Sequence, residues 1–437
     1  MDPLTQSGEW TNWAGDQRCR PARILAPRSR EELAEAVGAA AAAGERLSVT
    51  GSGHSFTEAA MTDATMLRLE ALRGVLEADR ESGLVRVGAG TVLADLNEEL
   101  TALGLALENL GDIDAQTVAG TISTGTHGTG ARFGNISARV EGVELVLGDG
   151  SVRDLTAAGD PELLRAARIG VGALGAISAV TLRCFPAFTL RRVDSSHRRE
   201  DVLDRFDELA AANDHFELFT FPYSDRALVL ERNRVAAPPA PRGRFAAHLN
   251  DVVLENWAFE ALAATGKAMP RAIPALAKLA GLVAGGGRNQ DTSHRIFVNR
   301  RTVRFTEMEY AVPRADGPTA VRRVIEWVRA NRFPVFFPLE VRVAAGDDAD
   351  LSAAHERDTA YIAVHQYRGM EWRPYFEAVE AIMDDYAGRP HWGKRHFQTA
   401  ATLAPRYPRW AAFQRARDEL DPKRVFTNPY AERVLGP

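Results

Sequence analysis

The sequence predicts an α+β protein with more than one domain. Residues 22–49 read as strand, helix and strand, which predicts a small β-α-β unit. Later in the chain, strand candidates alternate with amphipathic helices, a pattern typical of an antiparallel sheet backed by helices. At 437 residues, the chain is long enough to bury the cores of two or three domains.

Composition narrows the function classes. The net charge of −5 at pH 7 does not favour a nucleic-acid partner. The two cysteines, Cys19 and Cys184, allow at most one disulfide and no metal cluster, as is usual in a reducing compartment. Residues 1–8 predict no secretory signal, and charges and prolines interrupt the apolar stretch Ala258–Ala284, so we expect no transmembrane segment. These features predict a cytoplasmic protein without a metal site.

The first half of the chain alternates strands and helices. Ser29 followed by Glu32 is a capping box that predicts a helix to about Ala43. Gly104 is expected to end a helix that begins near Val92. A further helix is expected after Asp160-Pro161, and strands are expected at 22–26, 47–49, 66–69, 74–77, 84–87, 140–147, 151–155 and 176–182.

The pattern changes after Pro186 to that of a second α+β domain. Strands are predicted at 215–221, 226–231, 302–312, 335–343 and 361–367. Helices are predicted at 200–212, in two segments between 245 and 283, and at 319–331, 374–386 and 410–420, before an extended C-terminus.

Two glycine-rich loops carry the first functional signal. Thr50–Thr57 contains Gly51, Ser52 and Gly53 directly before His54, and Val118–Gly130 is rich in glycine, threonine and histidine. Glycines at this spacing let backbone N–H groups approach a phosphate. An ordinary turn would explain either loop alone, but the two together indicate one large phosphate-bearing cofactor between them.

A third glycine run, Gly170–Gly175, has the G-x-G-x-x-G spacing of a nicotinamide-binding Rossmann motif. That motif requires a strand before it and a helix after it. Here a helix is predicted before the run and the strand 176–182 after it, so we reject the Rossmann interpretation.

Polar residues alternate with apolar ones in two strands of the second domain. Glu340 and Arg342 share one face of their strand, and His365 and Tyr367 share one face of theirs. Such a face can simply be a solvated surface. The alternative is a polar floor that binds hydroxyl groups beneath a cofactor.

The cluster His391–His396 combines aromatic and basic residues. It can be an ordinary basic surface loop. As a zinc site it lacks a cysteine or acidic ligand at suitable spacing. The chain also lacks the G-x-S-x-G elbow of hydrolases and the P-loop of nucleotidases.

Five motifs occur together and in order: Thr50–Phe56, Asn109–Ile113, Ala119–Gly128, Leu339–Arg342 and His391–Lys394. In this combination the chain resembles the sugar-1,4-lactone oxidoreductases among the vanillyl-alcohol-oxidase-type (VAO/PCMH) flavoproteins. The likeness is strongest to the L-gulono-1,4-lactone dehydrogenases of actinobacteria. It covers nearly the whole chain, least surely residues 236–291.

The resemblance implies a two-subdomain FAD-binding domain over residues 1–186, an α+β cap domain with an antiparallel sheet over 187–390, and a segment 391–437 that returns to the first domain. It implies FAD joined covalently through His54. Catalytic positions would be Glu340, Arg342, His365 and Lys394, and substrate-binding positions Asp112, Tyr367 and Trp392. Cofactor-binding positions would be Thr50, Gly51, Ser52, Gly53, His54, Ser55, Phe56, Gly111, Thr117, Gly120, Thr121, Ser123, Thr124, His127, Gly128 and Ile177.

The implied reaction is the oxidation of an aldonolactone, L-gulono-1,4-lactone or a stereoisomer, by hydride transfer to flavin N5. Oxygen, a quinone or a redox protein would take the electrons. Two alternatives are an alditol (polyol) oxidase and a flavin-binding protein without catalytic activity. Asp112 stands where alditol-type relatives have serine, which argues against polyol-style contacts at that position.

Overall fold

The computed structural model describes residues 5–6, 8–241, 257–283, 285–299 and 302–437. The first part of the chain forms a four-stranded sheet and a five-stranded antiparallel sheet. In sheet order, the four strands are Thr5–Gln6, Arg23–Leu25, Thr65–Arg68 and Leu47–Thr50, and the five are Val152–Thr156, Val140–Val146, Ala176–Arg183, Leu84–Gly88 and Val75–Asp79. Two short pairs join Trp10–Thr11 to Arg18–Cys19 and Leu105–Ala106 to Phe185–Pro186. The helices are Arg30–Ala42, Leu93–Ala102, Val118–Ser123 and Pro161–Arg168, with a 3-10 turn at Ile136–Arg139.

An eight-stranded antiparallel sheet dominates the second part. Its strands in sheet order are Gly287–Thr292, Thr189–Arg198, Arg226–Val235, His215–Thr220, Leu339–Ala344, Thr359–Tyr367, Phe305–Pro313 and Arg389–Pro390. The helices of this part are Arg199–Asp204, Phe206–Ala212, Phe259–Ala268, Ile273–Val283, Ser293–Phe297, Gly317–Ala330 and Arg373–Asp384, with 3-10 turns at Pro270–Ala272 and Arg314–Asp316.

The C-terminal segment is helical and packs on the first core. Its helices are Ala400–Leu403, Trp410–Leu420 and Pro429–Leu435, with a 3-10 turn at Ala404–Arg406. Trp392, Tyr407 and Phe413 are buried in the cluster that also contains Leu33 and Val87, and the backbone N–H of Leu47 donates to the carbonyl of Val425 at 2.8 Å. The segment thus covers the sheet that carries the first glycine loop.

Local signals confirm most of the predicted elements. The Ser29 side chain accepts from the N–H of Glu32 at the start of the first helix, although the Glu32 carboxylate accepts from the N–H of Arg28 rather than closing a full capping box. Gly104 takes a left-handed φ of +74° after the second helix, where a side chain would be strained. The strands 23–25, 47–50 and 65–68 run parallel, as a β-α-β unit requires.

Two predictions about elements were wrong, and two strands were missed. The helix expected over 200–212 is broken at Arg205 into two short helices. The C-terminus is not extended, because Asn428 caps a final helix by accepting from the N–H of Ala431. The strands Thr189–Arg198 and Gly287–Thr292 were missed because neither has regular apolar alternation.

Strand parity positions the polar residues as expected. Leu339, Val341 and Val343 are buried in the core of the second part, while Glu340 and Arg342 point to the opposite face of the sheet. Within the part of the chain that is described, no helix is long and apolar enough to cross a membrane.

Candidate active site

A cavity of about 620 Å³ lies where the first part of the chain meets the eight-stranded sheet. This volume is in the range of sites that bind cofactors and drug-sized ligands. Its walls come from the loop 49–60, the stretch 111–127, the loop 171–177, three strands of the eight-stranded sheet and the segment 391–394.

The first glycine loop lines this cavity along its whole length, from Thr50 to Phe56. A short N-terminal hairpin holds the loop in place. The N–H of Trp13 donates to the carbonyl of Gly53 at 2.7 Å, and the side chain of Asn12 donates to the carbonyl of Ser55 at 3.0 Å. The hairpin therefore fixes the backbone on both sides of His54.

The second glycine loop approaches the first at Thr117. A Cβ atom on Gly51 would lie 2.2 Å from the Thr117 hydroxyl oxygen, so only glycine fits there. That oxygen also accepts from the N–H of Gly120 as the N-cap of the helix 118–123. The predicted cofactor positions Gly111, Thr117, Gly120, Ser123, Thr124, His127 and Ile177 line the cavity, whereas Thr121 and Gly128 do not.

The third glycine run also contributes to the cavity. The helix Pro161–Arg168 precedes it and the strand Ala176–Arg183 follows it, which is the reverse of a Rossmann unit. Val171, Gly172 and Gly175 nevertheless line the cavity. Sequence reasoning rejected the motif correctly but did not recognise that the loop belongs to the same site.

Arg342 is the centre of a buried chain of charges. Its guanidinium contacts Glu340, lies 3.3 Å from Asp112, and donates to Glu217 at 2.8 Å. Arg232 donates to the second oxygen of Glu217 at 2.9 Å. Burial alone would raise the pKa of Glu217, but the charges of Arg342 and Arg232 lower it to about 2, so this carboxylate stays ionised.

Lys394 extends from the C-terminal segment to Glu307 on the strand 305–313. Burial opposes charge on both groups, yet the pKa of Glu307 falls to about 2 and the pKa of Lys394 is raised, because Lys394 lies beside Glu307 and Glu309. The His365 Nε2 atom lies 3.5 Å from Glu307 and 4.0 Å from Glu340. Its Nδ1 atom faces the carbonyl of Pro338 at 3.3 Å.

Sequence reasoning missed the two carboxylates Glu307 and Glu309. Both line the cavity, while Met308 and Tyr310 between and after them are buried on the other face. The same alternation rule that indicated Glu340 and Arg342 would have found them in the predicted strand 302–312.

His127, Glu309 and His391 form a second cluster in the cavity wall. The His127 Nε2 atom lies 3.2 Å from Glu309, and one potential ligand atom from each residue lies within 4.8 Å of the others. The Nδ1 atom of His391 accepts from the N–H of Gly393 at 3.0 Å. Burial lowers the pKa of His391 to about 3, so its ring is neutral at physiological pH.

His54 is also neutral. Its ring stacks on Trp13 with centroids 5.5 Å apart. The guanidinium of Arg304 also lies over the Trp13 ring, 4.3 Å from its centroid. Burial, together with the charges of Lys394 and Arg304, lowers the pKa of His54 to about 4. An uncharged imidazole with a free lone pair can act as a nucleophile or ligand.

Two predicted substrate residues lie outside the cavity. The Tyr367 hydroxyl donates to Glu260 at 2.5 Å, and its ring packs near Phe337 in the core of the second part. Trp392 is buried in the first core, where its indole N–H donates to the carbonyl of Leu351 at 2.7 Å. Asp112, by contrast, lines the cavity beside Arg342.

The residues present fit a flavin nucleotide. Two glycine loops present bare backbone to one end of the cavity, as a pyrophosphate requires, and the buried Oε1 atom of Gln116 in the cavity wall lacks a hydrogen-bond partner among the described residues. The other end carries fixed charges on the sheet.

Residues 180–434 match the model of the D-arabinono-1,4-lactone oxidase family, and residues 21–156 match that of the FAD-binding domain. The chain belongs to the D-arabinono-1,4-lactone oxidase family. It is 49% identical to L-gulono-1,4-lactone dehydrogenase of Mycobacterium tuberculosis, over 98% of this chain and 99% of that protein. It is 31% identical to L-gulonolactone oxidase of Bos taurus, over 98% of each chain. To alditol oxidase of Streptomyces sp. it is 32% identical, over 97% of this chain and 98% of the relative.

Two solved structures of cholesterol oxidases have the same fold as this chain. Cholesterol oxidase from B. sterolicum superposes with a TM-score of 0.84 at 18% identity, over 99% of this chain and 97% of that chain. A solvent-stable cholesterol oxidase superposes with a TM-score of 0.86 at 20% identity, over 100% of this chain and 98% of that chain. The predicted VAO/PCMH-type fold class is confirmed, and the cofactor is FAD.

The contact between the two glycine loops can be tested with Gly51→Ala. The added methyl group collides with the Thr117 oxygen, which cannot retreat without losing its bond to Gly120, so we expect FAD affinity to fall at least tenfold. The measurement is the flavin content of purified protein and FAD titration of any apoprotein. Gly38→Ala is the matched control, because Gly38 does not line the cavity and its methyl group would meet its nearest neighbour at 3.5 Å, an ordinary contact. An equal loss of FAD affinity in both variants would contradict the proposed collision with the Thr117 oxygen.

Proposed function

We propose that this protein oxidises an aldonolactone, L-gulono-1,4-lactone or a stereoisomer, with FAD. The observation that carries the proposal is the charged floor formed by Arg342, Lys394, Glu340 and Glu307 at one end of the cofactor cavity. Two relatives are named for the oxidation of L-gulonolactone, which supports the choice of substrate class. FAD supplies the acceptor for a hydride at flavin N5.

The residues have separable roles in this proposal. The loops 50–56 and 117–127 hold the cofactor, and Arg342 and Lys394 stabilise negative charge that develops on the reacting oxygen. Their carboxylate partners Glu217 and Glu307 keep both cations in place before substrate arrives. Fixed charges in a desolvated site need no reorganisation during the reaction, which is the main source of their effect.

Glu340 and His365 are the proposed acceptors of the hydroxyl proton. The His365 Nε2 atom lies 4.0 Å from a carboxylate oxygen of Glu340, and both residues line the cavity. At that separation no direct hydrogen bond joins them, so each is a separate candidate for the proton acceptor. Asp112, which lies beside Arg342, is proposed to contact the substrate as well.

The remaining assignments are also proposals. Oxygen, a quinone or a redox protein would accept the electrons, and the protein would act in the cytoplasm. Residues 1–186, 187–390 and 391–437 would be the FAD-binding domain, the cap domain and the returning segment. A second candidate function, alditol oxidation, is favoured by the relative of that name at 32% identity.

Anaerobic flavin bleaching decides among these functions. The holoenzyme is mixed without oxygen with L-gulono-1,4-lactone, its stereoisomers, the matching alditols and the free aldonic acids. We expect loss of the oxidised flavin absorbance with a lactone. Bleaching by alditols alone would favour the second function, and no bleaching by either class would overturn both.

Arg342→Ala and Lys394→Ala should each lower the rate of flavin reduction by about a hundredfold or more, the usual effect of removing a preorganised charge. Stopped-flow absorbance under saturating lactone measures that rate. In Arg342→Ala, Glu217 keeps Arg232 as a partner, and circular dichroism of the variant checks that the fold survives without the cation beside Glu340 and Asp112. Arg191→Ala, an exposed arginine of the same sheet that bonds Gln290, is the control. Reduction at the wild-type rate in either active-site variant would refute the assignment of that residue.

Covalent attachment through His54 is tested on a denaturing gel. A neutral ring beside Trp13 satisfies the requirement that the attacking nitrogen carry a lone pair, so yellow fluorescence should move with the wild-type band after acid precipitation. His54→Ala should release FAD while keeping weaker, reversible binding. Trp13→Phe, which retains an aromatic ring, is the milder comparison. A colourless wild-type band would end the covalent proposal but not the FAD assignment.

A further inference from the structure

His127 and Glu309 form a buried pair whose charge the proposed function leaves unassigned. His127 belongs to the second glycine loop and Glu309 to the strand 305–313, and their side chains are only 2% and 6% exposed. The ring of Tyr361 stacks on His127 with centroids 3.5 Å apart at 17°. This stacking fixes the plane of the imidazole, so its two nitrogens have defined neighbours.

Both ring nitrogens of His127 face hydrogen-bond acceptors. The Nδ1 atom lies 2.9 Å from the backbone carbonyl oxygen of Gly128, and the Nε2 atom lies 3.2 Å from the Glu309 carboxylate. A neutral imidazole has one N–H donor and one lone pair, so it would leave a lone pair against an oxygen. Turning the ring by about 180° would place carbon atoms there instead. Only the doubly protonated ring donates to both neighbours.

A metal ion between the same groups is the alternative explanation, and His391 argues against it. The Nδ1 atom of His391 accepts from the N–H of Gly393, which leaves the proton of this neutral ring on Nε2 and no lone pair for a metal. The pKa of Glu309 lies below its usual range: burial opposes ionisation, but the neighbouring His127 and Lys394 outweigh it.

The pair is oriented with respect to the cofactor loops. His127 follows Gly111, Thr117 and Gly120 in the stretch that lines the cavity, and His127 and Glu309 both line it. Glu309 lies on the sheet that carries Glu307 and Glu340. The positive partner therefore belongs to a cofactor-binding loop and the negative partner to the sheet that meets it.

We propose that Glu309 holds His127 as an imidazolium, and that this ion stabilises the negative charge that the flavin gains on reduction. The proposal rests on the FAD assignment but not on the identity of the substrate. Its action is electrostatic: a cation held in a desolvated wall interacts strongly with new charge and needs no rearrangement. His127 is thus an electrostatic partner of the cofactor, and Glu309 a positioning residue that acts through it.

The midpoint potential of the bound flavin and its affinity for sulfite report this charge without any lactone. In His127→Gln we expect sulfite to bind at least tenfold more weakly and the potential to become more negative, because Glu309 is left uncompensated. Glu309→Gln should have a smaller effect in the same direction. Adding Glu309→Gln to His127→Gln should partly restore sulfite affinity, a non-additivity that a loss of packing would not produce.

Glu380→Gln is the matched control. Glu380 is a buried carboxylate that bonds Tyr310 and the N–H of Phe397 outside the cavity, so its removal should leave potential and sulfite affinity unchanged. An unchanged potential in His127→Gln, or an equal change in Glu380→Gln, would overturn the proposal.

Nitrogen NMR of histidine-labelled wild-type holoenzyme measures the protonation state directly. The His127 signals, assigned by their loss in His127→Gln, should show two protonated ring nitrogens at neutral pH, and Glu309→Gln should convert them to the neutral form. The groups that face the ring are Glu309, His391 and Tyr361, with Lys394 beside Glu309. A neutral ring in wild type, or a stoichiometric metal whose removal by chelator changes these signals, would overturn it. A holoenzyme whose flavin is reduced by no lactone but which shows the imidazolium would refute the substrate and leave this inference standing.

Discussion

The site depends on one constraint: charged groups that line a largely buried cavity must each have a partner of opposite charge. A buried unpaired charge costs several kcal/mol, so its partner must be in place when the chain folds. Arg342 meets this requirement through Glu217 and Glu340, and Lys394 through Glu307. These pairs join strands and segments that are far apart in the chain. The site is therefore complete only when the strands of the sheet and the C-terminal segment have packed together.

The same pairs connect the charged groups that face the cavity to charged groups that do not line it. Glu217 accepts from two arginines, one of which faces the cavity while the other lies behind it. Removing Arg342 would leave Glu217 with Arg232 but take this cation away from Glu340 and Asp112, whereas removing Glu217 would leave Arg342 with Glu340 and Asp112 and take this carboxylate away from Arg232. The floor is therefore a network in which each charge serves more than one partner.

The glycine loops are constrained in a different way: their backbones approach each other too closely for side chains. Gly51 meets Thr117 at a distance no side chain permits, and the N-terminal hairpin pins the loop through Trp13 and Asn12. The lining of the cavity thus combines bare backbone from the glycine loops with paired charges from the sheet. A nucleotide with a charged, extended tail and a flat redox-active ring matches this division.

The sequence by itself determined the α+β class, the two glycine loops, and the face on which Glu340 and Arg342 lie, because strand parity and glycine spacing are local properties. The flavoprotein fold followed from the family resemblance of five motifs rather than from those patterns. Parity could not say how far along a strand the cavity reaches, and Tyr367, on the same face as His365, lies beyond it. Nor could it pair Lys394 with Glu307, 87 residues away. Trp392 lies in a core for the same reason, since only the packing of the C-terminal segment decides which neighbours of Lys394 face inward. Local patterns fix the direction of a side chain, and the register and packing of distant segments decide what it meets.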